Sequence, residues 1–288
     1  MSNLTKRILS ALIGVPLIFL CTYLGGTAFF ILIIVLILLS SLEMGKLIES
    51  KGIEVNRVLI VVFSLALGVA AWRGYSLTSA TLTAIVVLAC IFEIFTGAVK
   101  NALTRLSYLM FAVLYIGWLE SHFLLLRNPA NGDHIGGLTL GGKLSDPGFF
   151  FIVFVVTATF VNDTFAYFVG KRIGKTKLMA SVSPRKTLEG TIGGIIGTAA
   201  SGIVVNLLFK SPLSIEIAVI WAVLISVLAV FGDLVESLIK RDAEIKDTGA
   251  IIPGHGGVLD RFDSLLFTVP ASYYFLVLLA RADGLLHF

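Results

Sequence analysis

Nine apolar runs, most of them close to twenty residues long, follow one another along this 288-residue chain. That succession leaves few folds open. A hydrocarbon core is crossed by a helix of ~20 predominantly apolar residues. Inside lipid the backbone must satisfy its own polar groups, which such helices do. The runs fall at about 8–25, 27–46, 57–73, 79–98, 106–126, 148–170, 190–209, 214–236 and 264–281. Outside them no stretch is long enough to build a water-soluble core. Charged residues make up 14% of the chain, against about 25% in soluble domains. The expected fold is therefore all-α: a polytopic integral membrane protein of about nine transmembrane helices. Residues 1–145 would hold the first five spans, and 146–288 the last four with two polar loops between them.

The first run follows Lys6 and Arg7, as a secretory signal would, but no small-residue cleavage site comes after it. Gly25 and Gly26 lead straight into the next run, so it reads as a retained span. Both cysteines, Cys21 and Cys90, fall inside apolar runs and read as small hydrophobes. Of the 22 lysines and arginines, one set of alternate loops holds only Arg73, Arg127, Lys143, Lys210 and Arg281. The remainder lie on the other side with Lys6 and Arg7. By the positive-inside rule the N-terminus is cytoplasmic and, with nine spans, the C-terminus lies outside. The expected location is a cell membrane, crossed several times. The net charge of +4 is what such a loop bias produces, and no nucleic-acid partner follows from it.

Orientation needs cations only, so the carboxylates gathered among them on the cytoplasmic side need another explanation. One polar loop runs from Gly170 past Lys171, Arg172, Lys175 and Lys177 to Ser183–Gly190. Ser183 and Pro184 read as a turn before span seven. Arg185, Lys186 and Thr187 then offer a planar fork, a point charge and a hydroxyl, a set suited to phosphate oxygens. A basic loop meeting anionic headgroups accounts equally well for residues 171–177. Gly170 to Thr176 is reminiscent of the end of a phosphate-binding loop, but it lacks the first glycine and the preceding strand. Just upstream, Asn162 and Asp163 interrupt the end of span six, and an acid within a span faces a partner or a wet cavity by default.

The second polar segment, 232–263, is denser. Helical continuation of span eight would put Asp233, Ser237, Lys240 and Arg241 on one face. Pro253–Gly257 cannot continue a helix, and its glycines let backbone approach a ligand. Asp260 and Asp263 would then open span nine on a common face, where helix capping and dipole compensation are the competing account of them. Several carboxylates beside many cations, with no Cys/His cluster, favour a hard oxygen-ligated ion such as Mg²⁺ over zinc.

Here the sequence resembles the phosphatidate cytidylyltransferase (CDP-diacylglycerol synthase) family. The likeness rests on Ser237, Lys240-Arg241, Lys246-Asp247, Pro253-Gly254-His255-Gly256-Gly257 and Asp260-Arg261-Phe262-Asp263. Ser183–Gly190 is also family-like, with Arg185 where lysine is common and Leu188 where a bulkier residue often sits. The specific likeness covers about residues 160–265. It implies that CTP and phosphatidic acid, a membrane lipid, give CDP-diacylglycerol and pyrophosphate. A phosphomonoester with a second pKa near 6 is already substantially dianionic at neutral pH, so no general base is essential. His255 is then a substrate contact rather than a base.

On that reading Asp247, Asp260 and Lys246 are catalytic. Asp247 and Asp260 lead the expected metal ligands, followed by Asp233, Asp263 and Asp163. Expected substrate contacts are Ser183, Arg185, Lys186, Thr187, Glu189, Ser237, Lys240, Arg241, His255 and Arg261. The expected cofactor is Mg²⁺, with room for a second cation, and a homodimer is compatible with the sequence. A CTP-dependent lipid kinase is the competing enzyme. An anion transporter is the competing class, which would favour charges at mid-membrane and an internal repeat; Glu93 and Glu120 are the acids well inside the earlier spans, and no repeat is visible.

Overall fold

The computed structural model describes residues 3–128, 146–211, 213–249 and 256–282. In chain order the elements are α1 (Asn3–Leu24), α2 (Gly26–Ser50), α3 (Arg57–Arg73), α4 (Tyr75–Phe95), α5 (Ala102–Ala112), α6 (Leu119–Arg127) and α7 (Pro147–Ile173). Two short strands follow, β1 (Lys177–Met179) and β2 (Ser183–Thr187), then α8 (Leu188–Leu208), α9 (Ile215–Asp242), α10 (Leu259–Phe262) and α11 (Leu265–Ala282). A six-residue π-helix, Val113–Trp118, joins α5 and α6 into a single rod.

Each apolar run read from the sequence is helical. Seven helices, counting Ala102–Arg127 as one, are long and apolar enough to cross a membrane. The α3 helix is shorter, at 17 residues. The protein is an all-α polytopic membrane protein with one small hairpin.

The α7 helix carries Asn162 and Asp163 within it, as the span at 148–170 implied, and continues to Ile173. One local expectation changes. Ser183 and Pro184 lie in β2 rather than in a turn, because β1 pairs antiparallel with β2, Lys177 opposite Thr187 and Met179 opposite Ser183. Proline's missing donor is tolerated in so short an edge ladder.

Helix starts follow local chemistry. The Asn56 side chain accepts from Val58 and Leu59 N–H at 3.0 and 3.3 Å to begin α3. Asp146 accepts from Phe149 N–H at 2.9 Å, with Pro147 in the first turn, to begin α7. Such caps satisfy donors that a helix leaves unpaired at its N-terminus.

The chain forms two compact units, one of residues 1–125 and 243–261, the other of 126–242 and 262–288. In the first, Ile37, Ile60, Leu67 and Ile116 are fully buried. There Gly117 packs on the Ser64 backbone. The second is centred on Trp221, whose indole stacks on Phe154 with ring centres 4.1 Å apart and donates to Ser272 Oγ at 2.9 Å. Its closest helix contact is α7 against α8. A Cβ on Gly190 would stand 2.7 Å from the Ala166 carbonyl, one on Gly193 2.6 Å from Val169, and one on Gly194 2.5 Å from Asn162 Oδ1. Small residues at this spacing let helix backbones approach in lipid, where hydrophobicity alone gives no reason to associate. This approach sets the place of Asn162 and Asp163.

Candidate active site

In the second unit, polar side chains from the C-terminal halves of α7 and α9 and from β2 gather with the turn before α11. Asn162 is buried; its Oδ1 accepts from Ser226 Oγ on α9 at 2.6 Å, and its Nδ2 donates to Asp163 Oδ1 at 3.3 Å. That pair of bonds fixes the amide and orients the exposed Asp163 carboxylate beside it. Asp233, Asp263 and Lys186 are its charged neighbours. Lys186 pairs with Asp233 (Nζ to Oδ2, 2.7 Å) and donates to the Val230 carbonyl at 3.3 Å. One turn along α9, Ser237 Oγ donates to Asp233 Oδ1 at 3.2 Å. Lys240 pairs with the buried Glu236 at 2.7 Å.

Asp263 joins this group because α9 is bare at Gly232. A Cβ there would stand 2.7 Å from the Asp263 carbonyl and 3.0 Å from Ser264 Cα. The chain entering α11 therefore runs against α9 next to Asp233. Desolvation, and after it the Asp233 charge, push the Asp263 carboxyl up to about 6. A carboxyl raised by a like charge gains from any cation brought between the two.

This grouping corrects one expectation. Asp260 and Asp263 do not share a face of one helix, because α10 ends at Phe262 and α11 begins only at Leu265. The segment from Ser237 to Asp263 is divided between the units: its ends belong to the second and residues 243–261 to the first.

In the first unit, Asp260 organises the loop that carries it. Its Oδ2 accepts from Thr248 N–H at 3.0 Å, Gly257 N–H at 2.8 Å and Thr248 Oγ1 at 3.1 Å. Gly256 has φ +86°, and a Cβ there would meet the same oxygen at 2.9 Å, so the turn needs glycine twice over. Lys246, Asp247 and Arg261 are exposed on this loop. His255 lies outside the described residues.

The hairpin residues divide similarly. Thr187 is buried, and its Oγ1 accepts from Gly190 N–H at 3.2 Å, capping α8. Glu189 accepts from the backbone N–H groups of Lys175 and Thr176 at 3.1 Å, tying the hairpin's start to α8. Arg185 is exposed, as is Arg241, and Ser183 is half-buried.

Sequence reasoning missed Glu43 and Thr248. Glu43, near the end of α2, is 1% exposed and accepts from Val258 and Leu259 N–H, each at 3.0 Å. The available signal was an acid within an apolar run. Its nearness to the run's end hid it.

Among the described residues no three His, Cys, Asp or Glu side chains converge to ligate a single ion. The donor set of Asp163, Asp233 and Asp263 is all oxygen, which suits an ion that takes one or two carboxylates and leaves its other positions to phosphate.

A sequence profile of the cytidylyltransferase family matches residues 5–279, nearly the whole chain. The chain belongs to the cytidylyltransferase family. Among its relatives, a phosphatidate cytidylyltransferase of Synechocystis sp. is 34% identical, over 96% of this chain and 97% of the relative. One of Bacillus subtilis is 30% identical over 96% and 99%. A chloroplastic phosphatidate cytidylyltransferase of Arabidopsis thaliana is 35% identical over 96% and 74%. The likeness thus extends through α1–α6, where the motifs alone gave no specific resemblance to this cytidylyltransferase family.

Proposed function

We propose that this chain transfers the cytidylyl group of CTP to phosphatidic acid, giving CDP-diacylglycerol and pyrophosphate, at the cytoplasmic face of a cell membrane. The observation that carries this reading is the cluster of Asp163 on α7, Asp233 on α9, Lys186 on β2 and Asp263 before α11 in a cytidylyltransferase-family membrane protein. In the reaction an oxygen of the lipid phosphate forms a bond to the α-phosphorus of CTP. The bond from that phosphorus to the bridging oxygen breaks, and pyrophosphate leaves with the electron pair. The barrier lies in bringing two polyanions together, so cations and positioning supply most of the catalysis.

The second unit's residues fit those needs. Asp233 and Asp263, with Asp163 beside them, would hold Mg²⁺; when bound, that ion neutralises charge on the phosphates. Lys186 is held by Asp233 until a phosphate competes for it. Ser237 fixes the rotamer of Asp233, and Lys240, Arg241, Arg185 and Ser183 supply polar contacts nearby in the chain. On the sequence motif, Lys246, Asp247, Asp260, Arg261 and His255 serve the same reaction. Glu189 and Thr187 set the hairpin on α8. The bias of lysine and arginine among the loops supports a cytoplasmic position for this chemistry, where a water-soluble nucleotide meets the headgroup.

The test uses purified protein with phosphatidic acid, Mg²⁺ and CTP labelled at either the α- or the γ-phosphate. Label entering lipid from the α position alone is the expected result. Label entering from γ would establish a lipid kinase instead, and uptake into vesicles without any lipid product would establish a transporter.

A further inference from the structure

Glu43 is unusual in where it sits and in what it holds. It belongs to α2, yet among the described residues its side chain accepts hydrogen bonds from the loop that carries Asp247 and Asp260. Oε1 accepts from Val258 N–H at 3.0 Å; Oε2 accepts from Leu259 N–H at 3.0 Å and from Thr248 Oγ1 at 3.3 Å. One carboxylate therefore grips the loop on both arms, ten residues apart in sequence.

Both arms have given up side-chain volume to be gripped. A Cβ on Gly249 would collide with Glu43 Oε1, and one on Gly257 would stand 2.6 Å from Glu43 Oε2. Thr248 links this grip to the proposed chemistry. Its hydroxyl lies 3.3 Å from Glu43 Oε2 and 3.1 Å from Asp260 Oδ2, while its N–H donates to the same Asp260 oxygen at 3.0 Å. The single hydroxyl proton can serve only one carboxylate at a time. The two backbone donors on Glu43 keep that carboxylate satisfied when the proton goes to Asp260.

A buried carboxylate is costly unless donors surround it, the more so with a second buried acid, Glu120, as a neighbour. At 1% exposure, Glu43 is stabilised by donors that exist only when the loop is folded onto α2. The cost of burying the charge is thereby coupled to the loop's conformation. Leaving the loop unfastened would expose the acid to unpaired burial.

We infer that Glu43, acting through Thr248, is a positioning residue for the cytidylyl-transfer reaction: it sets the conformation in which Asp247 and Asp260 are presented. This rests on the reading of the chain as a phosphatidate cytidylyltransferase. Asp260 and Asp247 are the groups acted on; Glu43 itself touches no substrate.

The test compares purified wild-type protein with Glu43→Gln, Thr248→Val, Thr248→Ser and the Glu43→Gln/Thr248→Val double variant. Each is assayed for cytidylyl transfer at saturating Mg²⁺, alongside its melting temperature in detergent. Glu43→Gln keeps the size of the side chain but turns an amide N–H₂ toward a donor. Its kcat should fall about tenfold or more, the range seen when an outer-shell partner is lost, with KM for phosphatidic acid unchanged. Thr248→Val should behave similarly, Thr248→Ser should restore activity, and the double variant should lose no more than the worse single variant. That non-additivity is the sign of one shared path.

The inference is overturned if Glu43→Gln and Thr248→Val retain wild-type kcat, or if their losses multiply. It is overturned equally if kcat falls only in proportion to the fraction of folded protein. Should Glu43→Gln fail to fold, the Thr248→Val and Thr248→Ser pair decides alone. Wild-type protein that transfers no cytidylyl group would instead defeat the underlying reading of function.

Discussion

In the first unit the Asp260 and Glu43 carboxylates are surrounded by donors, each accepting two backbone N–H groups and reaching the Thr248 hydroxyl. In the second unit Asp233 and Asp263 face each other as like charges, with Asp163 beside them and the half-buried Lys186 pairing with only one of the three. Carboxylates have thus been placed in different surroundings. Backbone donors hold Asp260 and Glu43, although Glu43 also has the buried Glu120 as a neighbour. Among the described residues Asp233 and Asp263 have no such pair of backbone donors between them. Satisfied carboxylates hold backbone and favour one conformation. Opposed carboxylates oppose the fold in the absence of cations, and such an arrangement persists where a ligand resolves it. The difference separates a scaffold from a reactive site more sharply than residue identity does.

The largest expected effect comes from exchanging these roles. Asp233→Asn should lower kcat about a hundredfold or more, the scale of losing a charge-stabilising group in a water-poor site. Its melting temperature should stay level or rise, because repulsion with Asp263 is relieved and the Lys186 pair, partly exposed, is worth only about 0–1 kcal/mol. Asp260→Asn should lose activity differently, together with the loop: limited proteolysis should now cut within 243–261, where the wild type resists. An inactive Asp260→Asn protein as protease-resistant as wild type would show that Asp260 serves the reaction without holding the loop.

The second effect is on pH. Asp263 is pushed up to about 6, so below that pH a proton occupies the carboxyl that a divalent cation would use. The Mg²⁺ concentration for half-maximal activity should rise about tenfold for each pH unit below 6 and be flat above 7. In cation-free protein the sign for stability follows from linkage. Between the unfolded aspartate value, about 4, and the folded value, the folded state holds the extra proton, so stability falls as pH rises through that window. Asp263→Asn should remove both trends; titrations of Mg²⁺ activation that keep the same pH dependence in this variant would assign the proton elsewhere.

The fold was largely legible because lipid allows so little: long apolar runs became helices, with boundaries shifted by a few residues. The site was legible only by parts. Lys186 and Asp233 could be named from the sequence, but their pairing depends on the hairpin that brings β2 beside α9. The placement of Asp263 depends on Gly232, whose missing side chain signals nothing until the neighbouring backbone is seen. Glu43 was hidden for a further reason: its partners lie more than two hundred residues away, beyond any spacing argument. Local periodicity reports which face is apolar; it does not report which distant donor a buried acid will find.

Gly194→Ala tests how far the reactive cluster depends on helix packing. The added methyl would meet Asn162 Oδ1 at 2.5 Å, so α7 and α8 must part or the amide must turn. Overpacking of this kind costs about 1–3 kcal/mol. Either response breaks the Ser226–Asn162–Asp163 chain, so activity should drop more than stability does. The pairing Gly202→Ala is the comparison: its Cβ would stand 2.8 Å from Ala222 and 3.1 Å from Phe154, away from any carboxylate. Equal losses of activity in the two variants would show that packing alone, and not the placement of Asp163, is responsible.

The smallest effect is expected at Thr187, where the sequence suggested a phosphate contact and the structure shows a cap. Its hydroxyl already accepts from Gly190 N–H, and the surface around it is closed: a Cβ on Gly170 would come within 2.8 Å of that oxygen and one on Gly174 within 2.6 Å. Thr187 is 6% exposed, and its hydroxyl oxygen is engaged in the cap. Thr187→Ala should therefore cost about 1 kcal/mol of stability, the ordinary value of an N-cap. The KM for CTP should stay within about twofold, because a lost cap does not remove a ligand contact. Thr187→Ser keeps the oxygen and should match wild type in both respects. A tenfold rise in KM for CTP in Thr187→Ala, with melting unchanged, would place Thr187 among the carboxylates and cations that meet substrate and take it out of the scaffold.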